Sequence, residues 1–167
     1  VLGRKPAIAD APGVNPLPQI RGGIRFENVS FGYFNRPVLH DITIDVPAGT
    51  TLAVVGPTGA GKTTLVNLIA RVFDVRAGRV AIDGHDVREI PLAQLHRSVA
   101  FVPQESFLFS TTLEQNVAWG GDTDGARVAQ AVQLSQLSND LPQLPHGMQT
   151  MVGERGVSLS GGQKQRA

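Results

Sequence analysis

The chain has 167 residues, enough for one domain with one hydrophobic core. Its 15 lysines and arginines against 14 acidic residues leave a formal charge of +1, far from the dense basic footprint of a nucleic-acid binder. No apolar run approaches the ~18 residues of a membrane span, and the N-terminus has no signal-peptide core. A cysteine count of 0 excludes disulfides, thiolate metal sites and cysteine nucleophiles.

Residues 1–23 carry Pro6, Pro12, Pro16 and Pro18 with scattered glycine and no periodicity, so they are expected to form an extended linker. Order is expected from Ile24. Ile24 and Phe26 alternate, then Val29 and Phe31 alternate one step out of phase, which predicts a strand with a bulge near Asn28. Ile42, Ile44 and Val46 alternate with Thr43 and Asp45 as a half-buried strand, and Pro47-Ala48-Gly49 turns the chain. Leu52-Ala53-Val54-Val55 is continuously apolar, the pattern of a strand buried on both faces of a parallel sheet. After Gly56 a helix is expected, with Leu65, Leu68, Ile69 and Val72 in one apolar stripe. Gly78 ends that segment. Val80 to Asp83 then reads as a short strand closed by Gly84, Leu92 to Arg97 as a short helix, and Val99 to Val102 as a second buried strand stopped by Pro103. Beyond Glu105 the character changes. Gly120-Gly121 separates two segments, Ala126 to Leu137 has helical composition, and Pro142, Pro145 and Gly147 break it. Gln163 to Ala167 reads as a helix barely begun, which predicts a chain cut short.

Gly56-Pro57-Thr58-Gly59-Ala60-Gly61-Lys62-Thr63 fits G-x-x-x-x-G-K-[ST] between a buried strand and an amphipathic helix. Glycines let the backbone curl and bring its N–H groups close to a polyphosphate. A helix starting near Gly61 turns its positive dipole end to the same anion. Lys62 supplies a mobile ammonium for the β- and γ-phosphates, and the Thr63 hydroxyl can ligate Mg²⁺. A dinucleotide loop is excluded, because Thr64 stands where a third glycine or alanine is required. This is a P-loop nucleotide site. His40, His85, His96 and His146 lie too far apart in sequence for a zinc site, and Asp83, Asp86 and Glu89 read as solvated surface groups.

At the other end, Leu159-Ser160-Gly161-Gly162-Gln163, continuing Lys164-Gln165-Arg166-Ala167, offers a serine hydroxyl and glycine N–H groups at a helix start, a second anion site. It resembles the signature motif of ABC ATPases. Val29-Ser30-Phe31-Gly32-Tyr33 is similar to the family segment whose aromatic residue stacks on adenine, and Val102-Pro103-Gln104-Glu105 to its Q-loop. Phe107 to Ser110 with Thr112 to Val117, and Val152-Gly153-Glu154-Arg155-Gly156, resemble exporters with fused membrane domains, although Met151 stands where an acidic residue is usual.

The resemblance implies an α/β P-loop NTPase with a mostly parallel core sheet, an N-terminal antiparallel β subdomain and a helical signature subdomain. Residues 24–104 would form the nucleotide-binding core, 105–167 the helical and signature region, and 1–23 the linker from an upstream membrane domain. It implies ATP and Mg²⁺ as ligands. Tyr33, Gly56, Pro57, Thr58, Gly59, Ala60, Gly61, Lys62, Thr63, Thr64 and Gln104 would bind nucleotide, with Thr63 and Gln104 at the metal. Ser160, Gly161, Gly162 and Gln163 would act in trans on ATP held by a second such domain. The family function is ATP hydrolysis driving export at the cytoplasmic face of the cell membrane. The family's Asp-Glu strand and histidine loop come after the signature, so no catalytic base is expected in these 167 residues, and little turnover by this piece alone. Three other readings fit less well. A soluble ABC ATPase of DNA repair or translation would insert long helical arms between Gln104 and Leu159, and a P-loop kinase or GTPase leaves the signature unexplained. A degenerate nucleotide-binding half of a heterodimer differs only in residues outside this sequence.

Overall fold

The first strand along the chain is β1 (Ile24–Tyr33), whose alternating apolar side chains need a cover on one face only. It pairs antiparallel with β2 (Arg36–Val46) on one edge and with β3 (Ala77–Ile82) on the other; a two-residue β4 (His85–Asp86) completes the sheet in the order β2-β1-β3-β4. The computed structural model describes residues 6–104, 106–119, 124–153 and 157–167. They fall into two units, residues 1–100 and 101–167, each with its own core.

In the first unit Phe26, Val29, Phe31, Leu39, Val80 and Ile82 turn to one side of the sheet and meet Leu65 and Leu68 of helix α1 (Lys62–Ile69), together with Leu95 of helix α2 (Leu92–Ser98). Arg25 pairs with Asp45 at 3.1 Å and Arg79 with Glu27 at 2.6 Å on the wet face, so the alternation is respected strand by strand. The predicted bulge is present. Register shifts between Phe26 and Val29, where Asn28 adopts φ 48°, and this brings Val29 back to the core side. Asp83 and Gly84, at φ 52° and 84°, form the two-residue turn from β3 to β4 that Asp-Gly favours.

Two predicted strands are not found. Leu52 to Val55 and Val99 to Val102 carry no strand pairing, and Val55 is 89% exposed. A continuously apolar run forms a strand only when a neighbour supplies the ladder, and no described strand pairs with either run. Among the described residues the sheet is antiparallel.

Residues 6–23 have no helix or strand, as expected for the linker, but they do not hang free. Leu17 and Ile20 pack on the core. The Gln94 side chain donates to the Leu17 carbonyl and accepts from the Leu17 N–H, an Asp10 oxygen accepts from the Leu92 N–H at the start of α2, and buried Arg71 donates to the Ala9 carbonyl. Asp83 is no solvated group either, since its carboxylate accepts from the N–H groups of Arg21, Gly22 and Gly23. Burial alone would raise its pKa, but the N–H groups of Arg21, Gly23 and Gly22 hold it below the usual carboxylate value. Asp86 is buried and paired with Arg88, whose N–H it also accepts at 2.9 Å.

The second unit is built from short helices: α3 (Leu113–Val117), α4 (Gly125–Leu134), three 3₁₀ turns between Leu137 and Gln149, and α5 (Gly161–Arg166). Leu113, Val128, Val132, Leu137, Val152 and Leu159 form its core. Glu105, Gly120, Gly121 and Glu154 to Gly156, named above, lie outside the described residues.

Asp83→Ala removes the acceptor for three N–H groups, so it is expected to lower stability by about 1–2 kcal/mol after allowance for solvent screening. Urea unfolding of the chain measures the loss. An unchanged midpoint would mean that residues 21–23 are not held there.

Candidate functional site

The loop before α1 owes its shape to glycine. Gly59 and Gly61 adopt φ 84° and 86°, in the left-handed region that a side chain disfavours. At Gly61 a Cβ would also come within 2.9 Å of Leu39 Cδ2 and 3.0 Å of Val38 Cγ1, so β2 packs directly on the loop's last turn. Lys62 then folds back, its Nζ donating to the carbonyls of Gly56 and Pro57 at 2.8 Å each. An ammonium has three N–H groups, and the third remains for an anion. Gly56, Pro57, Thr58, Gly59, Ala60 and Thr63 are exposed, while Gly61 and Lys62 are half-buried.

The decisive feature is how α1 begins. Helices α3, α4 and α5 each start under a side-chain cap, from Thr112, Asp124 and Ser160, and α2 starts under Asp10. Gly61 provides no cap for α1. The first N–H groups of a helix need a partner, and their dipole favours a negative one. A polyphosphate fits this cradle, with the exposed Thr63 hydroxyl beside it for a cation; Thr64 turns inward, 5% exposed.

Tyr33, at the end of β1, is half-buried. Its hydroxyl is 3.1 Å from Thr64 Oγ1, and its ring meets Phe31 and Phe73 edge-on, with centroids 5.1 and 5.3 Å away. The hairpin is thereby tied to the first turn of α1. Gln104 lies exposed in the second unit without secondary structure.

The signature segment is also in the second unit, where Ser160 and Gln163 form a capping box. Ser160 Oγ accepts from the Gln163 N–H at 3.3 Å, and Gln163 Oε1 accepts from the Ser160 N–H at 3.0 Å. Gly161 and Gly162 are exposed in the first turn of α5. Sequence reasoning missed Asp140, which accepts from Arg166 Nε at 2.8 Å and Nη2 at 3.1 Å, and from Gln163 Nε2 at 3.5 Å. The Arg166 guanidinium holds the Asp140 carboxyl below its usual range, against the opposing effect of burial and with help from Gln163. A cleft in this unit, about 340 Å³, is lined by Phe107, Phe109 and Trp119, with Phe109 stacked on Trp119 at 3.9 Å. No group of His, Asp or Glu that could hold a metal by itself occurs among the described residues.

A glycine-curled loop, an uncapped helix start and a lysine folded over the loop define a P-loop nucleotide-binding protein. The sequence profile of the ABC transporter family matches residues 39–167, and the chain belongs to that family. It is 44% identical over 163 residues to the mitochondrial iron-sulfur clusters transporter of Chaetomium globosum, covering 96% of this chain and 27% of that protein. It is 40% identical over 167 residues to the ATP-dependent lipid A-core flippase of Desulfotalea psychrophila, covering 99% and 29%. A bacterial Atm1-family ABC exporter solved with ATP bound superimposes with a TM-score of 0.88 at 41% identity, over 95% of this chain and 28% of that one. The chain thus spans under a third of the length of these relatives, and its fold is that of the exporters' ATP-binding domain.

Because the Asp140 pKa is depressed, its pairing stabilises fully above the ordinary carboxylate value of about 3.9 and fades as pH falls through the lower native value. Asp140→Asn is therefore expected to be less stable than the parent chain at pH 7. The difference should shrink to nothing in stronger acid, as read by unfolding curves across pH. A difference constant from neutral to strongly acidic pH would contradict the pairing.

Proposed function

We propose that the chain binds MgATP and, in its full-length protein, drives export across a membrane by ATP hydrolysis. The uncapped start of α1, under a folded-back Lys62, is the observation that carries this reading. The N–H groups from Gly59 to Thr63 cradle the phosphates, Lys62 reaches the β- and γ-oxygens, and Thr64 lies behind them. Thr63 would hold Mg²⁺, which would supply positive charge against that of the phosphates. Gln104 takes its metal and water-sensing role from motif order alone. Tyr33 would hold the adenine ring, as its place beside the first turn of α1 supports.

Ser160, Gly161, Gly162 and Gln163 act on the γ-phosphate held by a second ATP-binding domain. ATP then closes the pair because its charge is met from both sides, and hydrolysis releases it. Alternating access follows as a population shift between closed and open pairs. The membrane domain is the expected occupant of the exposed aromatic face at Phe107, Phe109 and Trp119, since an apolar patch of this kind needs cover. Among the described residues no helix is long and apolar enough to cross a membrane. This domain would lie at the cytoplasmic face.

Lys62→Ala should weaken ATP binding by the isolated chain at least tenfold, measured by titration calorimetry, because a charge-assisted phosphate contact is lost. The same 167 residues should show little steady turnover, having no carboxylate assigned to polarise water. Unchanged affinity in the variant would sink the phosphate-grip reading.

A further inference from the structure

The signature motif's serine is held between two fixed points. Leu159, 6% exposed, is buried in the second unit's core immediately before Ser160. After it comes α5, Gly161–Arg166. The second point is Asp140. This residue is 8% exposed and follows the 3₁₀ turn Leu137–Asn139, whose Leu137 is 1% exposed in the same core. It meets the helix twice, at Gln163 in the first turn and at Arg166 three residues on.

The Gln163 side chain is therefore already engaged. One end of its amide accepts from the Ser160 N–H, the other donates to Asp140, and its backbone N–H donates to Ser160 Oγ. The Arg166 guanidinium folds back along the helix until its Nη1 lies 3.5 Å from where a Cβ on Gly162 would be. A bidentate arginine–carboxylate pair has a fixed planar geometry, so it sets orientation as well as proximity. Chain by chain, core → Leu137 → Asp140 → Gln163 → Ser160 is a continuous set of contacts.

From this we infer that Asp140 is a positioning residue for the signature motif, orienting Ser160 through Gln163 and fixing the turn of α5 through Arg166. The inference rests on the reading that Ser160 covers ATP bound by a second domain. Asp140 touches no nucleotide in this account. It makes the α5 start rigid before the two domains close, so closure does not have to order it.

The test uses the full-length protein and three variants: Asp140→Asn, Ser160→Ala and the double variant. Expected are a roughly tenfold fall in kcat for Asp140→Asn, ATP affinity of the open, unpaired P-loop unchanged, and no further loss when Asp140→Asn is added to Ser160→Ala. A merely structural role would add its loss to that of Ser160→Ala and would weaken binding at the P-loop as well; that result overturns the inference. Should Asp140→Asn fail to fold, Arg166→Gln, at the partly exposed end of the pair, breaks the same contact and must show the same non-additivity. A Ser160→Ala protein with full activity would bring down the covering role and Asp140's part in it together. A Ser160→Ala protein that loses activity beside an Asp140→Asn protein with parent kcat overturns the positioning role alone.

Discussion

An uncapped helix start is the constraint on which the first unit turns. Helices elsewhere in the chain close their first N–H groups with Thr112, Asp124, Ser160 or the distant Asp10, whereas α1 begins at a glycine that offers nothing. Leaving those groups open costs stability, and the surrounding architecture holds the loop in place regardless. Val38 and Leu39 of β2 press on Gly61 so closely that a side chain there would collide. Leu65 and Leu68 bury the opposite face of α1, and the Tyr33 hydroxyl ties the β1–β2 hairpin to Thr64. The sheet therefore supports the loop before α1, over which Lys62 is held by the carbonyls of Gly56 and Pro57.

The second unit solves the opposite problem. Its signature helix is capped at its start, by a reciprocal pair between Ser160 and Gln163, and buries none of the side chains from Gly161 to Arg166. Orientation there comes from an ion pair at its edge, Asp140 with Arg166, and from Leu159 sunk in the core. One unit offers unsatisfied N–H groups to a ligand, while the other spends its polar groups on holding a serine still. That division suits a holding site and a covering site.

Much of this was legible in the residues because the signals are local. The P-loop glycines, the phase slip at Asn28 and the Asp83-Gly84 turn each depend on backbone preferences within a few positions, and each is present. Leu52 to Val55 was misread as a paired strand because continuous apolar character reports what a segment needs around it, not what is there. The docking of residues 6–23 was hidden for another reason. Gln94 against Leu17 and Asp10 against Leu92 are polar contacts across 77 and 82 positions, with no periodicity to announce them. Asp140 lay in a stretch broken by Pro142, Pro145 and Gly147, where only the packed fold reveals that its carboxylate meets Arg166.

The most direct measurement is an amide NMR titration of the chain with MgATP, tripolyphosphate and adenosine in parallel. If the open start of α1 is the phosphate cradle, the amides from Gly59 to Thr64 shift with MgATP, tripolyphosphate reproduces that pattern, and adenosine does not. Shifts at these amides produced by adenosine and not by tripolyphosphate would contradict the account at its base.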